Sequence, residues 1–268
     1  DMSYIGRQLN VPASTVQLTA EGAITAGKPC IIEADGDVAQ IVQTSVSQGV
    51  GSAVVFTSSQ AVFQANSATF DSNSNKIVFT YSDYGNSGYG TAVVGTASGT
   101  SISFGTPVVF ESAQTGGEVA ATFDTTNNKV LIAYRDSGNS SYGTAIVGTV
   151  SGDSISFGSA AVFESATILS PACAFDSNAG RALIAYRDNG NSDQGTAIVA
   201  TISGTSVSFG SAAVFETGKT QHCRATFDST NNKVVIAFMD SDNAYRGKAV
   251  VATISSTSVS FGTVATFE

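Results

Sequence analysis

Tryptophan is absent from this chain of 268 residues, histidine occurs once and cysteine three times. Three cysteines, Cys30, Cys173 and Cys223, are too few and too scattered for a disulfide framework. Cys173 and Cys223 stay open as a pair or as two buried thiols, since a free cysteine behaves as a small apolar residue. His222 stands beside Cys223, but no third or fourth ligand follows at a zinc-like spacing, so no metal is expected. A lone histidine also speaks against Ser-His-Asp and Cys-His catalysis, and leaves His222 as a solvated strand-edge residue. Charge is scarce: 12% of residues, about half the usual quarter. Lys and Arg number 12 against 21 Asp and Glu, a formal charge of −9. That balance excludes a nucleic-acid-binding surface, which needs clustered cations, and attraction to an anionic membrane. No apolar run approaches the roughly 20 residues of a membrane helix, so no membrane insertion is expected. No charged-then-apolar leader opens the sequence. Apolar residues still make up 42%, enough for a core.

What is present is a repeat. Phe-Asp recurs at Phe70-Asp71, Phe123-Asp124, Phe175-Asp176 and Phe227-Asp228, at spacings of 53, 52 and 52 residues. KVLIAYRDSGNSSYGTAIVGT follows the second of these, and close copies follow the others. Each copy ends in a third block, SISFGTPVVFES, SISFGSAAVFES, SVSFGSAAVFET or SVSFGTVATFE. Four copies therefore fill about 60–111, 112–164, 165–216 and 217–268, and GSAVVF at 51–56 resembles the end of a fifth.

Each copy reads as four short strands. The first ends at Phe-Asp, and an Asp/Asn turn follows, those side chains being able to bond their own backbone. The β-branched and aromatic stretch Lys129 to Tyr134 is the second strand and Gly143 to Val150 the third. A Ser-Gly-Asp tight turn leads to the fourth, Ser154 to Phe163, with a bulge or bend at Gly158. No window has a helical period with caps. The class is all-β, and four-stranded units of this length predict a β-propeller of about four blades. A linear β-solenoid is the rival. Ala133, Ala145, Ala185 and Ala197 suit close sheet-on-sheet approach, with Phe157, Phe163 and their copies filling the layer between blades. Glu268 aligns with Glu111, Glu164 and Glu216, which fits either ring closure or a piece of a longer chain.

The loop between strands two and three runs Asp83-Tyr84-Gly85-Asn86-Ser87, Asp136-Ser137-Gly138-Asn139-Ser140 and Asp188-Asn189-Gly190-Asn191-Ser192, and drifts to Asp240-Ser241-Asp242-Asn243-Ala244. Asp83, Asp136, Asp188 and Asp240 are read as structural turn residues, accepting backbone N–H bonds, with the glycine at positive φ. Calcium at Asp83 and Asn86 lacks the bidentate glutamate or dense carboxylates it would need. Asp-x-Gly-x-Ser resembles the Asp-box turn of sialidase-type propellers, a structural element away from their active site. Tyr81, Tyr134, Tyr186 and Phe238 stay aromatic in every copy and are assigned to the core. Tyr89, Tyr142, Gln194 and Arg246 vary at one repeat position and are the candidate ligand contacts, a tyrosine being able to stack on a sugar face while its hydroxyl bonds. Arg135 and Arg187 are added as groups that could hold an acidic sugar bidentately, although Ser82 and Met239 take that position elsewhere. No cluster of three arginines forms, no paired carboxylates for glycoside hydrolysis are identifiable, and neither enzyme activity nor a cofactor is expected.

Residues 1–50 fall outside the repeat. Ala26-Gly27-Lys28-Pro29 reads as a turn, Cys30 to Glu33 as a strand, Ala34 to Asp37 as a hairpin turn and Val38 to Val42 as the return. This is a small β unit suited to anchoring or assembly. Met2-Ser3-Tyr4-Ile5-Gly6-Arg7-Gln8 resembles the start common in tailed-bacteriophage tail-fibre proteins. Gly22-Ala23-Ile24-Thr25-Ala26-Gly27-Lys28-Pro29, with Asp35-Gly36-Asp37-Val38, resembles a small β domain of phage fibre, head-fibre and capsid-decoration proteins, and RDSGNSSYGTAIVGTVSGDSISFG resembles repeats of marine and cyanobacterial phage structural proteins. The resemblance implies a non-enzymatic virion protein that contacts other virion proteins through residues 1–50, sits on an extracellular particle as a fibre or capsid decoration, forms a homo-oligomer such as a trimer, and attaches to host-surface polysaccharide. No coiled-coil heptad supports a trimer. The rival readings are a free multivalent carbohydrate-binding lectin and, less suited to the residues present, a sialidase-like hydrolase or lyase.

Overall fold

The structure is a computed structural model that describes residues 20, 23–24, 30–32, 37–40, 51–57 and 61–267. It divides into two compact units, Asp1–Val50 and Gly51–Glu268. In the first, Cys30–Ile32 pairs antiparallel with Val38–Gln40, and Ala20 forms an isolated parallel bridge to Val38. This is the expected hairpin pairing over the described residues; Glu33, Ile41, Val42, the turn residues at 26–29 and 34–36, and the phage-like opening at 2–8 lie outside them.

The second unit is all-β and consists of four propeller-type blades. The first strands are Ala61–Asp71, Val119–Asp124 and the C-terminal halves of Ala161–Asp176 and Ala213–Asp228. The second strands are Lys76–Asp83, Lys129–Asp136, Arg181–Asp188 and Lys233–Asp240. The third are Tyr89–Ser98, Tyr142–Ser151, Gln194–Ser203 and Arg246–Ser255. The short fourth strands are Ser101–Phe104, Ser154–Phe157, Ser206–Phe209 and Ser258–Phe261. The fourth strand differs from expectation in one respect. It stops at Phe157, and after a break at Gly158 the chain returns as Ala161–Asp176, which pairs first with the third strand of its own blade and then crosses to become the innermost strand of the next. One 16-residue strand thus belongs to two blades. No ladder among the described residues closes the fourth blade onto the first.

The turns explain the invariant Phe-Asp. Asp124 Oδ1 accepts the N–H groups of Thr126 at 2.7 Å and Asn127 at 2.9 Å, and Asn128 then takes φ 53°. Asp71, Asp176 and Asp228 make the same pair of bonds. An aspartate two residues before the backbone that it caps replaces the bonds a tight turn leaves unmade.

Three apolar layers lie between consecutive blades. Alternate residues of a strand face opposite neighbours. Ile184 and Tyr186 meet the second blade's Leu131, Ala133 and Ala145, whereas Leu183, Ala185 and Ala197 meet Ile236 and Phe238 of the fourth. The four alanines singled out from the sequence are fully buried in these layers. Phe110 and Phe163 each lie edge-on, and Phe215 tilted, against an aromatic of the next blade, Tyr134, Tyr186 and Phe238, at ring separations of 5.1–5.2 Å. Phe56 takes the same place against Tyr81 at 5.1 Å, so segment 51–56 seats on the first blade as the tail of a repeat. Cys223 is buried in the last layer and Cys173 packs against the middle one; both are free thiols, and burial raises each to about 12.

Candidate functional site

All the candidate residues lie at one end of the blades, where the second strand turns into the third. The turn is a single 3-10 turn, Ser137–Asn139 in the second blade, capped by Asp136 Oδ1, which accepts Asn139 N–H at 3.1 Å. Asp83 accepts from Gly85 at 3.1 Å, Asp188 from Asn191 at 3.1 Å and Asp240 from Asp242 at 3.0 Å. The left-handed positions are not the glycines. Ser87, Ser140, Ser192 and Ala244 carry φ of 55–57°, and the next residue is also positive. Glycine is needed for a different reason: a Cβ on Gly138 would stand 2.6 Å from the Cβ of Ala113, and one on Gly190 2.4 Å from that of Ala166. The connector entering the same blade passes that close, which sequence alone does not encode.

Tyr89, Tyr142, Gln194 and Arg246 open the third strands, each directly opposite the capping aspartate of its own blade. The first three are half-buried and Arg246 is exposed. They are one per blade, held in one register on capped turns. Arg135 and Arg187 do not act as a pair. Arg187 Nε bonds Asp193 Oδ1 at 2.7 Å, with Asn189 at 2.7 Å and Lys219 at 3.2 Å on the same carboxylate. The guanidinium and its companions hold Asp193 well below the usual carboxylate range. Arg135 has Ser141 where Arg187 has Asp193. Its Nη2 lies 1.7 Å from where a Cβ on Gly116 would stand, and its Nε is buried without a hydrogen-bond partner.

Sequence reasoning missed two groupings. One is an axial cavity of about 590 Å³ lined by the inner strands of all four blades. At its wall Glu118 Oε2 accepts Ser170 N–H at 2.6 Å and Ser170 Oγ accepts His222 N–H at 3.2 Å. Ser170 and His222 sit at bulges with φ of 50° and 53°. His222 is therefore an exposed bulge residue on this cavity, with Arg224 beside it, rather than a strand-edge residue.

The other is carboxylate pairing between blades. Glu111, the last residue of its repeat, accepts the Tyr134 hydroxyl of the next blade at 2.9 Å, and Glu164 accepts that of Tyr186 at 3.0 Å. Burial, together with the nearby Asp136 charge, raises Glu111; burial and Asp188 raise Glu164. The pairs escaped notice because the partners come from different repeats. At Tyr81 the repeat position of the glutamate holds Thr57; the Tyr81 hydroxyl is buried without a hydrogen-bond partner, and burial pushes its pKa up to about 12. Tyr134→Phe is expected to cost about 1–2 kcal/mol, because a half-buried carboxylate loses its donor. Tyr81→Phe should fall within about 0.5 kcal/mol of the parent, since no bond is lost. Parallel urea titrations check the difference.

Among the described residues no group of three or more His, Cys, Asp or Glu is placed to hold a metal ion. No protein-family model and no curated protein matches the chain. Among solved structures the chain is similar to a variant of Aleuria aurantia lectin in complex with alpha-methyl-L-fucoside, at 16% identity and TM-score 0.49, covering 86% of this chain and 67% of that one. The same lectin variant in complex with Fucalpha1-6GlcNAc matches at 16% identity and TM-score 0.49 over 86% and 68%.

Proposed function

We propose that this chain is a carbohydrate-binding protein with several weak, repeat-equivalent saccharide sites on the loop end of its blades. The supporting observation is the register. Tyr89, Tyr142, Gln194 and Arg246 occupy one position in four blades on capped turns, and between them offer a stacking face, an amide and a cation beside exposed backbone. Several weak sites on one rigid body gain by multivalency, so a dense glycan surface should be held far more tightly than a free monosaccharide. A panel of immobilised neutral and acidic saccharides, with the same sugars as soluble competitors, is the test. The reading expects retention on at least one dense surface, released by soluble sugar only at concentrations about a hundredfold or more above those of a multivalent competitor. Retention on none overturns it.

A second reading, favoured by the separate unit at Asp1–Val50, is that the chain is a fibre or decoration protein of a phage particle, anchored by residues 1–50. Electron microscopy of the native assembly tests it. Position on a tail or capsid supports it, and a purely soluble species contradicts it.

A further inference from the structure

The three seams between consecutive blades share one arrangement near the loop end, with a paired exchange: Phe238 and Lys248 of the fourth blade stand where the earlier blades have a tyrosine and a threonine. At the third seam Lys248 Nζ lies 2.9 Å from Glu216 Oε2 and 2.6 Å from Asp240 Oδ2, so one ammonium neutralises both carboxylates. Its side chain is nearly buried there. Lys248 is the cross-strand partner of Phe238, and the residues at that register in the earlier blades are Thr144, opposite Tyr134, and Thr196, opposite Tyr186. Cross-strand partners face the same side of a sheet. Thr144 and Thr196 therefore face the seams in which Tyr134 bonds Glu111 and Tyr186 bonds Glu164.

Those two seams keep both carboxylates and lack the ammonium. No ion pair reaches Glu111, Asp136, Glu164 or Asp188 among the described residues; their bonds are to tyrosine hydroxyls and backbone N–H groups. Thr144 and Thr196 are each 2% exposed, and the Oγ1 of each is buried without a hydrogen-bond partner. A buried hydroxyl without a partner is unfavourable, as is a pair of neighbouring carboxylates, here half-buried except for the buried Asp188, without a counter-charge. An oxygen-binding cation relieves both. We propose that the Glu111–Asp136–Thr144 and Glu164–Asp188–Thr196 seams each bind a singly charged cation of ammonium size, with potassium the matching simple ion, in the place that the Lys248 ammonium holds at the third seam.

Charge and donor count favour this class over calcium. Calcium takes six to eight oxygens at about 2.3–2.6 Å. Each seam offers two carboxylates and a threonine hydroxyl, and the group that fills the third seam carries one charge. Burial and the neighbouring aspartate hold Glu111 and Glu164 above the usual carboxylate range, the direction expected where a counter-charge is wanted.

The test is thermal unfolding of the whole chain in potassium chloride, ammonium chloride, calcium chloride and N-methylglucamine chloride at equal ionic strength. The proposal expects a midpoint several degrees higher in potassium and in ammonium than in N-methylglucamine. In the double variant Thr144→Lys, Thr196→Lys the lysines take the cation's place, so the response to potassium should vanish. Should that variant fail to fold, Glu111→Gln with Glu164→Gln keeps an acceptor for each tyrosine while removing one charge per seam, and it too should lose the response. Equal midpoints in potassium and N-methylglucamine overturn the proposal. A calcium response without a potassium response overturns it, as does a parental potassium response in the folded variants.

Discussion

Phe163→Ala is expected to destabilise the repeat unit by about 3–5 kcal/mol, the usual loss when a buried aromatic is truncated and its cavity does not collapse. Phe163 is 8% exposed, lies edge-on to Tyr186 at 5.2 Å and to Phe209 at 5.7 Å, and covers Gly143 from its own blade. It is the pin between the second and third blades. Phe267 holds the same repeat position and covers Gly247 in the same way, but it is 65% exposed. Phe267→Ala should therefore change stability by less than about 1 kcal/mol. The comparison separates inter-blade packing from residue type, because the two phenylalanines share their local sequence and differ in what lies on the far side. Chemical denaturation of both variants reads the difference directly; equal losses would mean that the aromatic layer is not what joins the blades.

Gly158→Ala is the second large effect. A Cβ there would stand 1.9 Å from the backbone oxygen of Thr205, in the hairpin of the next blade. The equivalent distances are 1.8 Å at Gly105 to Asp153 and 1.7 Å at Gly210 to Thr257. The obstructing atom is backbone, so the methyl is accommodated only by moving one blade against the next, at about 1–3 kcal/mol or more. At about 2–4 °C per kcal/mol for a unit of this size, the midpoint should fall by several degrees. Gly262 is the internal control: its nearest neighbour would be Val251 O at 3.7 Å, and Gly262→Ala should be nearly silent. A silent Gly158→Ala would contradict the close seating of hairpin on hairpin.

The period, the all-β class and the strand pattern were legible because they are local: Phe-Asp followed by Asn-rich turns, β-branched runs, and Gly99, Gly152 and Gly204 at φ of 58–61° in the hairpins. Gly158 reads as a bend within one strand but lies in the break between Phe157 and Ala161, and its tight requirement comes from Thr205, a residue of the next repeat. The glycines of the Asp-x-Gly-x-Ser loop were assigned a positive φ that belongs to the serines after them. The inter-blade carboxylates were hidden for the same reason, since Glu111 and Asp136 become neighbours only when repeats stack. One signal was available. The fourth copy replaces Tyr by Phe238 and Thr by Lys248 together, and the lysine, which bonds Glu216, marks that register as facing the last glutamate of the preceding repeat. Of the candidate ligand residues, Arg187 was already committed to Asp193, which its neighbouring loop supplies and which the second blade lacks.

The measurement that tests the central claim most directly compares the parent with a variant carrying Tyr89→Ala, Tyr142→Ala, Gln194→Ala and Arg246→Ala, on the same dense saccharide surface and with thermal unfolding run alongside. All four side chains lie at strand starts outside the three apolar layers. The account expects retention to fall at least tenfold, the loss of about 1.4 kcal/mol or more of binding, while cooperative unfolding persists. Unchanged retention by a folded quadruple variant would contradict it and move the saccharide site away from the loop end of the blades.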